Sequence, residues 1–319
     1  MGTNIHGFKQ DILLTNYTRL LGPSLDSFIA DSVFPAVEVP TKSGKFLNVD
    51  EAFVGASPGH GMIIADGQLH PLNIPVKISQ VTGWDVDLNG LGTRLSKHIE
   101  GYSAGNGLDL RKAHAALLTR HTAVIRERLA AAIAFSTTVF TGKTAALSGT
   151  DQWSNAASDP LSQAEDARDN VSQQSGEEPD TLIVGYDVDK QLRQHPLIRE
   201  RAKHSNNQVG PIRDSIIAEA LGVSRYVVGK AIADTTVEGQ TVSKARIWGK
   251  FALFCKLRSS PAPMTPQSCL QRWKFAGSTD GAVSIERLSE LVEQMNQMWN
   301  DQYAAPTTEL GYLYSTVVA

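Results

Sequence analysis

Cysteine is nearly missing from this chain: Cys255 and Cys269 are the only two in 319 residues. They allow one bridge at most, which excludes a disulfide scaffold. Cys255 lies in the apolar run FALFCKL, where a thiol packs as a small hydrophobe. No apolar run approaches the roughly 18 residues that mark a membrane-spanning helix. The opening MGTNIHGFKQ has the pattern of neither a signal peptide nor a targeting helix. An excess of either charge is also missing. Lys plus Arg number 30 against 33 for Asp plus Glu, a formal net charge of −3, so sequence-independent binding of nucleic acid is not the main business. The eight histidines form no His-Glu-x-x-His motif and no Cys/His cluster at metal spacing, so no metal or cofactor is suggested. These absences together indicate a cytosolic protein made in a reducing compartment, with no membrane partner.

What is present is ordinary for a folded chain, 41% hydrophobic and 20% charged, with length for one large domain or two modest ones. Its organising stretch is LDLRKAHAALLTRHTAVIRERLAAAIAF, which reads as one helix from Leu108 to about Phe135. Leu110, Leu117 and Val124 recur every seven positions, and Leu118, Ile125, Leu129 and Ile133 run beside them. Arg111, Arg120, Arg126, Glu127 and Arg128 fall mostly off that stripe. Asn106 is the expected N-cap, with Asp109 in the first turn. At ~1.5 Å per residue such a helix is roughly 40 Å long, a brace for other pieces to lie against.

Residues 1–44, broken by Pro23, Pro35 and Pro40, read as an arm that gains order by lying on something else. Residues 45–98 show strand-like alternation at FLNVDEAFV, LNIPVKISQV and WDVDLNG around the tip GASPGHG. They form a long ribbon that needs a neighbour, because two strands alone are marginal in water. After the brace, TTVFTGKTAALSGTDQW reads as a strand and turn. The following segment is a second helix, capped by Asp159, with Pro160 at N1 and Gly176 as its stop. TLIVG, SRYVVGKAIAD and ARIWGKFALFCKL alternate with helical segments over residues 180–258, which predicts a small α/β domain with its own sheet. His195 before Pro196 shapes the step between two helical pieces. GYLYSTVVA is a last strand. In 284–303, Ile285, Leu288, Leu291, Val292, Met295, Met298 and Trp299 recur at helical spacing, so periodicity alone argues a helix there.

Two motifs tempt a catalytic reading. Gly101-Tyr102-Ser103-Ala104-Gly105 matches the G-x-S-x-G elbow of serine hydrolases, with His60 and Gly61 N–H groups available as oxyanion donors. The elbow needs a buried apolar strand just before the serine, whereas RLSKHIE is polar and Gly105-Asn106-Gly107 delays the next helix. Gly142-Lys143-Thr144 resembles the end of a phosphate loop but has Thr137 where the first glycine belongs, and it follows a helix instead of a strand. No constellation supports acid–base chemistry, so no catalytic residue is assigned.

The stretches LSGTDQWSN, SDPL, ARDNV, PDTLIVGYDVDKQLRQHPLIRERAK, LGVSRYVVGKA and RIWGK, in that order from Leu147 to Gly249, resemble tailed-bacteriophage major capsid proteins of the Hong Kong-97-type fold. Gly311-Tyr312-Leu313 is similar to that family's closing strand, and FIADSVFPAVEVPTKSGKF to its N-terminal arm. The resemblance implies an α+β fold: an N-terminal arm over 1–44, an extended loop over 45–98 and a peripheral domain with its spine helix over 99–179. An axial domain over 180–258 and a return to the peripheral domain over 259–319 complete it. The same template makes residues near 291–303 a strand of the peripheral sheet, against their helical periodicity. It implies a structural, non-enzymatic protein that assembles with itself into pentamers and hexamers of an icosahedral head in the bacterial cytoplasm. That head encloses double-stranded DNA without sequence-specific binding and ends as the virion capsid. A portal, a decoration protein and, with no long helical segment ahead of the arm, a separate scaffolding protein are the further expected partners. Some family members cross-link through a lysine on the extended loop, but nothing here carries that role onto Lys45 or Lys77. The alternatives are a serine hydrolase using Ser103, which would lose ester turnover on Ser103→Ala, and another phage structural component such as a tube or decoration protein.

Overall fold

The computed structural model describes residues 4–5, 8–9, 14, 27–49, 78–105, 109–205, 212–234, 243–258, 268–277 and 281–319. Two five-stranded sheets and one long helix frame them, so the chain is of mixed α and β structure.

The first sheet is apolar on both faces. Its order is β7 (Thr144–Ala146), β16 (Gly311–Ser315), β12 (Ala252–Cys255), β8 (Thr181–Gly185) and β9 (Arg225–Gly229), with the outer pairs parallel and the inner ones antiparallel. Side chains alternate across a strand. Ile183, Leu253, Cys255 and Leu313 therefore enter one core, while Leu182, Val184, Phe254 and Tyr314 enter another on the opposite face. Burial on both faces is why TLIVG and ALFC read as unbroken apolar runs. The second core is closed by α4 (Pro160–Ser175), α5 (Tyr186–Gln194), α6 (Pro196–Ser205) and α7 (Asp214–Ala220). Helix α4 starts and stops as expected: the Asp159 carboxylate accepts from the Leu161 and Ser162 amides, and Gly176 takes φ +74°. His195 breaks α5 from α6 and is buried, its Nε2 3.2 Å from both Ser158 Oγ and the Asn155 carbonyl.

This sheet is not private to residues 180–258, contrary to expectation. Two of its five strands, β7 and β16, come from outside that span. The run SRYVVGKAIAD is also two strands. After β9 the chain turns into β10 (Ile232–Asp234), which pairs with β11 (Lys244–Arg246) as a separate hairpin.

The second sheet is built around β15 (Val292–Ala304), 13 residues long. It pairs antiparallel with β14 (Ala282–Arg287), β6 (Leu88–Ser96) and β13 (Gln271–Phe275), and β13 pairs parallel with β3 (Ala36–Val39). The helical reading of 284–303 is thus overturned: two strands meet at a turn over 288–291. The apolar spacing misled because half of the buried face of β15 is polar, so its period of two is hidden. Helix α2 (Lys97–Gly105) follows β6 directly and α3 (Leu110–Ala134) follows α2.

The ribbon is present at its foot. Strands β4 (Ser43–Val49) and β5 (Ile78–Asp85) pair antiparallel and, among the described residues, join no other sheet; the expected tip at 53–63 lies outside the described residues. Trp84 fastens the foot, packing with Val37, Val39, Val86 and Trp273 and donating its indole N–H to the Thr41 carbonyl at 3.1 Å.

Gly185 ends β8 where a Cβ would fall within the van der Waals radius of the Gly249 carbonyl oxygen, which is backbone and cannot swing aside. Gly101, inside α2, has open space around it. Gly185→Ala should lower stability by about 1–3 kcal/mol, the usual cost of overpacking. Gly101→Ala should raise it by up to about 1 kcal/mol through helix propensity. Urea midpoints of the two variants check both signs; equal midpoints would refute the packing of β8 against residue 249.

Candidate functional site

The long helix α3 is where the two sheets meet. Its sequence allows an unbroken helix, with no Gly or Pro over 25 residues, but its cap and buried face differ from expectation. Asp109 is the N-cap, its carboxylate accepting from the Lys112 amide at 3.2 Å; Asn106 lies outside the described residues. The stripe of large aliphatics is not the core face either: Leu117 and Leu129 are 49% and 47% exposed. The fully buried positions are Ala115, Leu118, Thr122, Glu127, Ala130, Ala131 and Ala134. Small residues let the helix lie close to what it covers. Glu127, placed off the stripe by periodicity, is wholly buried.

The helix docks on β15 through polar rungs around a small apolar patch. Arg111 bonds Glu293 at 2.8 Å and also Glu100, tying α2 to the sheet, while Lys97 reaches Glu293 at 3.2 Å. Ala115 and Leu118 pack with Met295 and Val283. Thr122 donates to the Gln297 amide oxygen at 3.2 Å. Arg126 pairs with Asp301 at 2.8 Å and lies over the Trp299 ring. On the strand these are residues 293, 295, 297, 299 and 301, every second one. On the helix they are 111, 115, 118, 122 and 126, every third or fourth. Helix residues 111 to 126 cover roughly 22 Å and strand residues 293 to 301 roughly 26 Å, so the two periods stay in step over the whole contact.

The arm closes this junction. Asp31 of α1 (Ala30–Val33) pairs with Arg272 of β13, whose guanidinium is also 3.8 Å from Asp301. Val33 and Phe34 are fully buried, Phe34 meeting Tyr303 edge to face. Burial, with the charge of Asp301 next, raises the Tyr303 phenol well above its ordinary value. Helix α1 has no side-chain cap of its own. Instead the Glu127 carboxylate accepts from the Ile29 and Ala30 amides, both at 2.9 Å, and from the Trp248 indole N–H at 2.5 Å. Burial raises the Glu127 carboxyl above the usual range, against the pull of those three donors. One carboxylate thus ties α3, the arm and the Trp248 loop beside the first sheet. Residues 27–39, expected to gain order on another body, are bedded in their own chain.

The elbow motif is not a nucleophile turn. Residues 97–105 form one helix, so Ser103 lies inside α2 instead of at the bend between strand and helix. Glu177 and Glu178 are ion-paired to Arg258 and Arg168 respectively. Among the described residues no group of three His, Cys, Asp or Glu is placed to hold a metal ion, and no helix is long and apolar enough to cross a membrane. A groove of about 650 Å³ lies between the end of α3 and the β10–β11 hairpin, lined by Arg128, Phe135, Arg246 and Phe251 among others. Arg128 donates to the Asp234 carbonyl and Arg246 to that of Lys230, so both guanidiniums serve the hairpin.

No protein-family model matches the chain. The major capsid protein of Pseudomonas phage JBD67 is 27% identical to it over 243 residues, 71% of each chain. The chain is similar in sequence to phage major capsid proteins. The same fold is found in a phage-related protein from Bordetella bronchiseptica, with a TM-score of 0.72 at 19% identity, over 97% of this chain and 98% of that one. It recurs in the capsid of cyanophage P-SCSP1u, with a TM-score of 0.56 at 12% identity, over 90% and 87% of the two chains.

Asp301 is 7% exposed between two guanidiniums. Asp301→Ala takes the buried carboxylate away from the largely covered Arg126 guanidinium and should cost about 3–5 kcal/mol. The double variant with Arg126→Ala should cost clearly less than the two single losses added together. Strict additivity in chemical denaturation would show that the pair does not act as a unit.

Proposed function

We propose that this chain is a phage major capsid protein, a structural subunit that assembles with copies of itself into pentamers and hexamers of an icosahedral head around double-stranded DNA. The observation that carries the reading is its collinear similarity to a phage major capsid protein over 243 residues, on a fold shared with a phage capsid along 90% of its length. In that reading α3 is the spine of a peripheral domain, β15 and its partners are that domain's sheet, and the five-stranded sheet belongs to an axial domain. The ribbon that starts at β4 and β5 is the extended loop. A separate scaffolding protein, a portal and a decoration protein are the expected partners in the cytoplasm of the host.

Physical features of the chain support this. Among the described residues the β4–β5 ribbon has no third strand to pair with, and a two-stranded ribbon is marginal by itself. At the far end of β15, Leu288 and Leu291 at the turn and Ile99 in the neighbouring helix are 47%, 66% and 59% exposed, joined by the Lys97 amide bonding to the Leu291 carbonyl. Apolar ends of this kind are covered when subunits meet around an axis. Obligate interfaces bury ~2,000–5,000 Å², worth tens of kcal/mol gross at ~25 cal/mol per Å², against an association cost of ~4–15 kcal/mol. Heterologous contacts that close give rings. A net charge of −3 suits an inner face that must not grip DNA tightly.

Purified chain, alone or with a coexpressed scaffold, should give capsomer rings or closed shells in light scattering and electron microscopy. Deleting residues 53–63 should leave the subunits soluble but reduce shells severalfold. Subunits that stay monomeric under all such conditions would sink the shell reading, and shells unaffected by the deletion would sink the role given to the ribbon.

A further inference from the structure

Glu127 is chemically out of place. Its side chain is fully buried, and among the described residues no Lys, Arg or His forms an ion pair with it. Its chain neighbours Arg126 and Arg128 engage Asp301 and the Asp234 carbonyl, and Arg272 engages Asp31 of the arm. The segment that follows β11 presents Trp248, a neutral donor. The charged group facing it from the arm is Asp31, which carries the same sign. A buried carboxylate met only by three N–H dipoles and a like charge keeps a large desolvation penalty.

Both oxygens hold the arm, and one of them also holds the Trp248 segment. Oε2 takes the Ala30 amide, while Oε1 takes the Ile29 amide and the Trp248 indole. Residues 29–34 form the lid over the carboxyl. With the lid in place the carboxyl is dry; with the lid lifted it meets water, where ionisation is cheap. Docking of the arm and the proton on Glu127 are therefore coupled.

We propose that Glu127 is a proton-linked clasp: taking up a proton fastens residues 29–34 to α3, and losing it loosens them. The direction follows from the balance at the carboxyl. The three donors favour the ionised form, but burial outweighs them and Asp31 adds to burial, so the docked carboxyl is raised above the usual glutamate range. A group that holds its proton more tightly when docked contributes most below its ordinary value, and that contribution is lost as pH rises through the raised one. Arg272 smooths the release. Its guanidinium lies 3.8 Å from Asp301, so it has a second carboxylate to lean on when Asp31 departs with the arm. The device concerns the subunit itself and holds whether or not shells form.

The test is amide hydrogen exchange of Ile29 and Ala30 in the full, unassembled chain, expressed as protection factors between about pH 4 and pH 8. In the wild type, protection should fall with rising pH, about tenfold for each unit by which docking raises the carboxyl. In Glu127→Gln it should be flat. In Trp248→Phe, which removes one donor to the ionised form, the fall should move to higher pH; this variant decides the matter if the first does not fold. Protection that is flat or rises with pH in the wild type would overturn the clasp. So would a fall that persists unchanged in Glu127→Gln, or one that stays at the same pH in Trp248→Phe.

Discussion

A helix laid on a strand of equal length must reconcile two different rises, ~1.5 Å per residue against ~3.3 Å. Here that is done with side chains that differ from rung to rung. Arg111 answers Glu293, Leu118 answers Met295, Thr122 answers Gln297 and Arg126 answers Asp301. An all-leucine seam would tolerate a slip of one turn. A ladder of unlike polar pairs would not, because each shift buries an unpaired donor or charge at about 1–3 kcal/mol or more. The register of α3 on β15 is therefore specified more sharply than its modest apolar content suggests, and both sheets take their places from it.

The arm depends on that register as well. Ile29 and Ala30 reach Glu127, and Asp31 reaches Arg272, only if α3 and β13 hold fixed positions across β15. Beyond this point β3 pairs with β13 and the ribbon starts at Trp84 against Trp273. The direction in which the ribbon leaves the body is thus set by contacts that lead back, through one strand, to the helix.

Features governed by local chemistry were legible in the sequence. Asp159, Pro160 and Gly176 mark the ends of α4 because capping acts within one turn, and TLIVG shows as a buried strand because both of its faces are apolar. Alternation marked strands at the foot of the ribbon, but WDVDLNG, read as part of it, runs on into β6 of the second sheet. What stayed hidden depends on partners far away in the chain. The buried face of β15 carries Gln297 and Asp301, which are tolerable only opposite Thr122 and Arg126, about 175 positions earlier. Without those partners, periodicity favoured a helix, and only the family resemblance pointed to a strand. Glu127 was misplaced for the same reason: its partners are two backbone amides of the arm and the Trp248 indole 121 positions later, which no local pattern announces. Alanine did the opposite, presenting as mere helix propensity what is in fact the close-packed face of α3.

Segments far apart in the chain finish each other's sheets. Strand β3 pairs with β13 more than 230 positions later, and β16 lies between β7 and β12 in the first sheet. Such contacts close large loops, whose entropy must be lost before any pairing rewards it. The seat of the ribbon foot is made by one of these long closures: Trp84 packs on Val37 and Val39 of β3 and on Trp273 of β13, the two strands that the loop brings together. Losing the β3–β13 pairing would therefore remove the surface on which the ribbon foot rests, so the stability of this limb is tied by topology to contacts more than 230 positions apart in the chain.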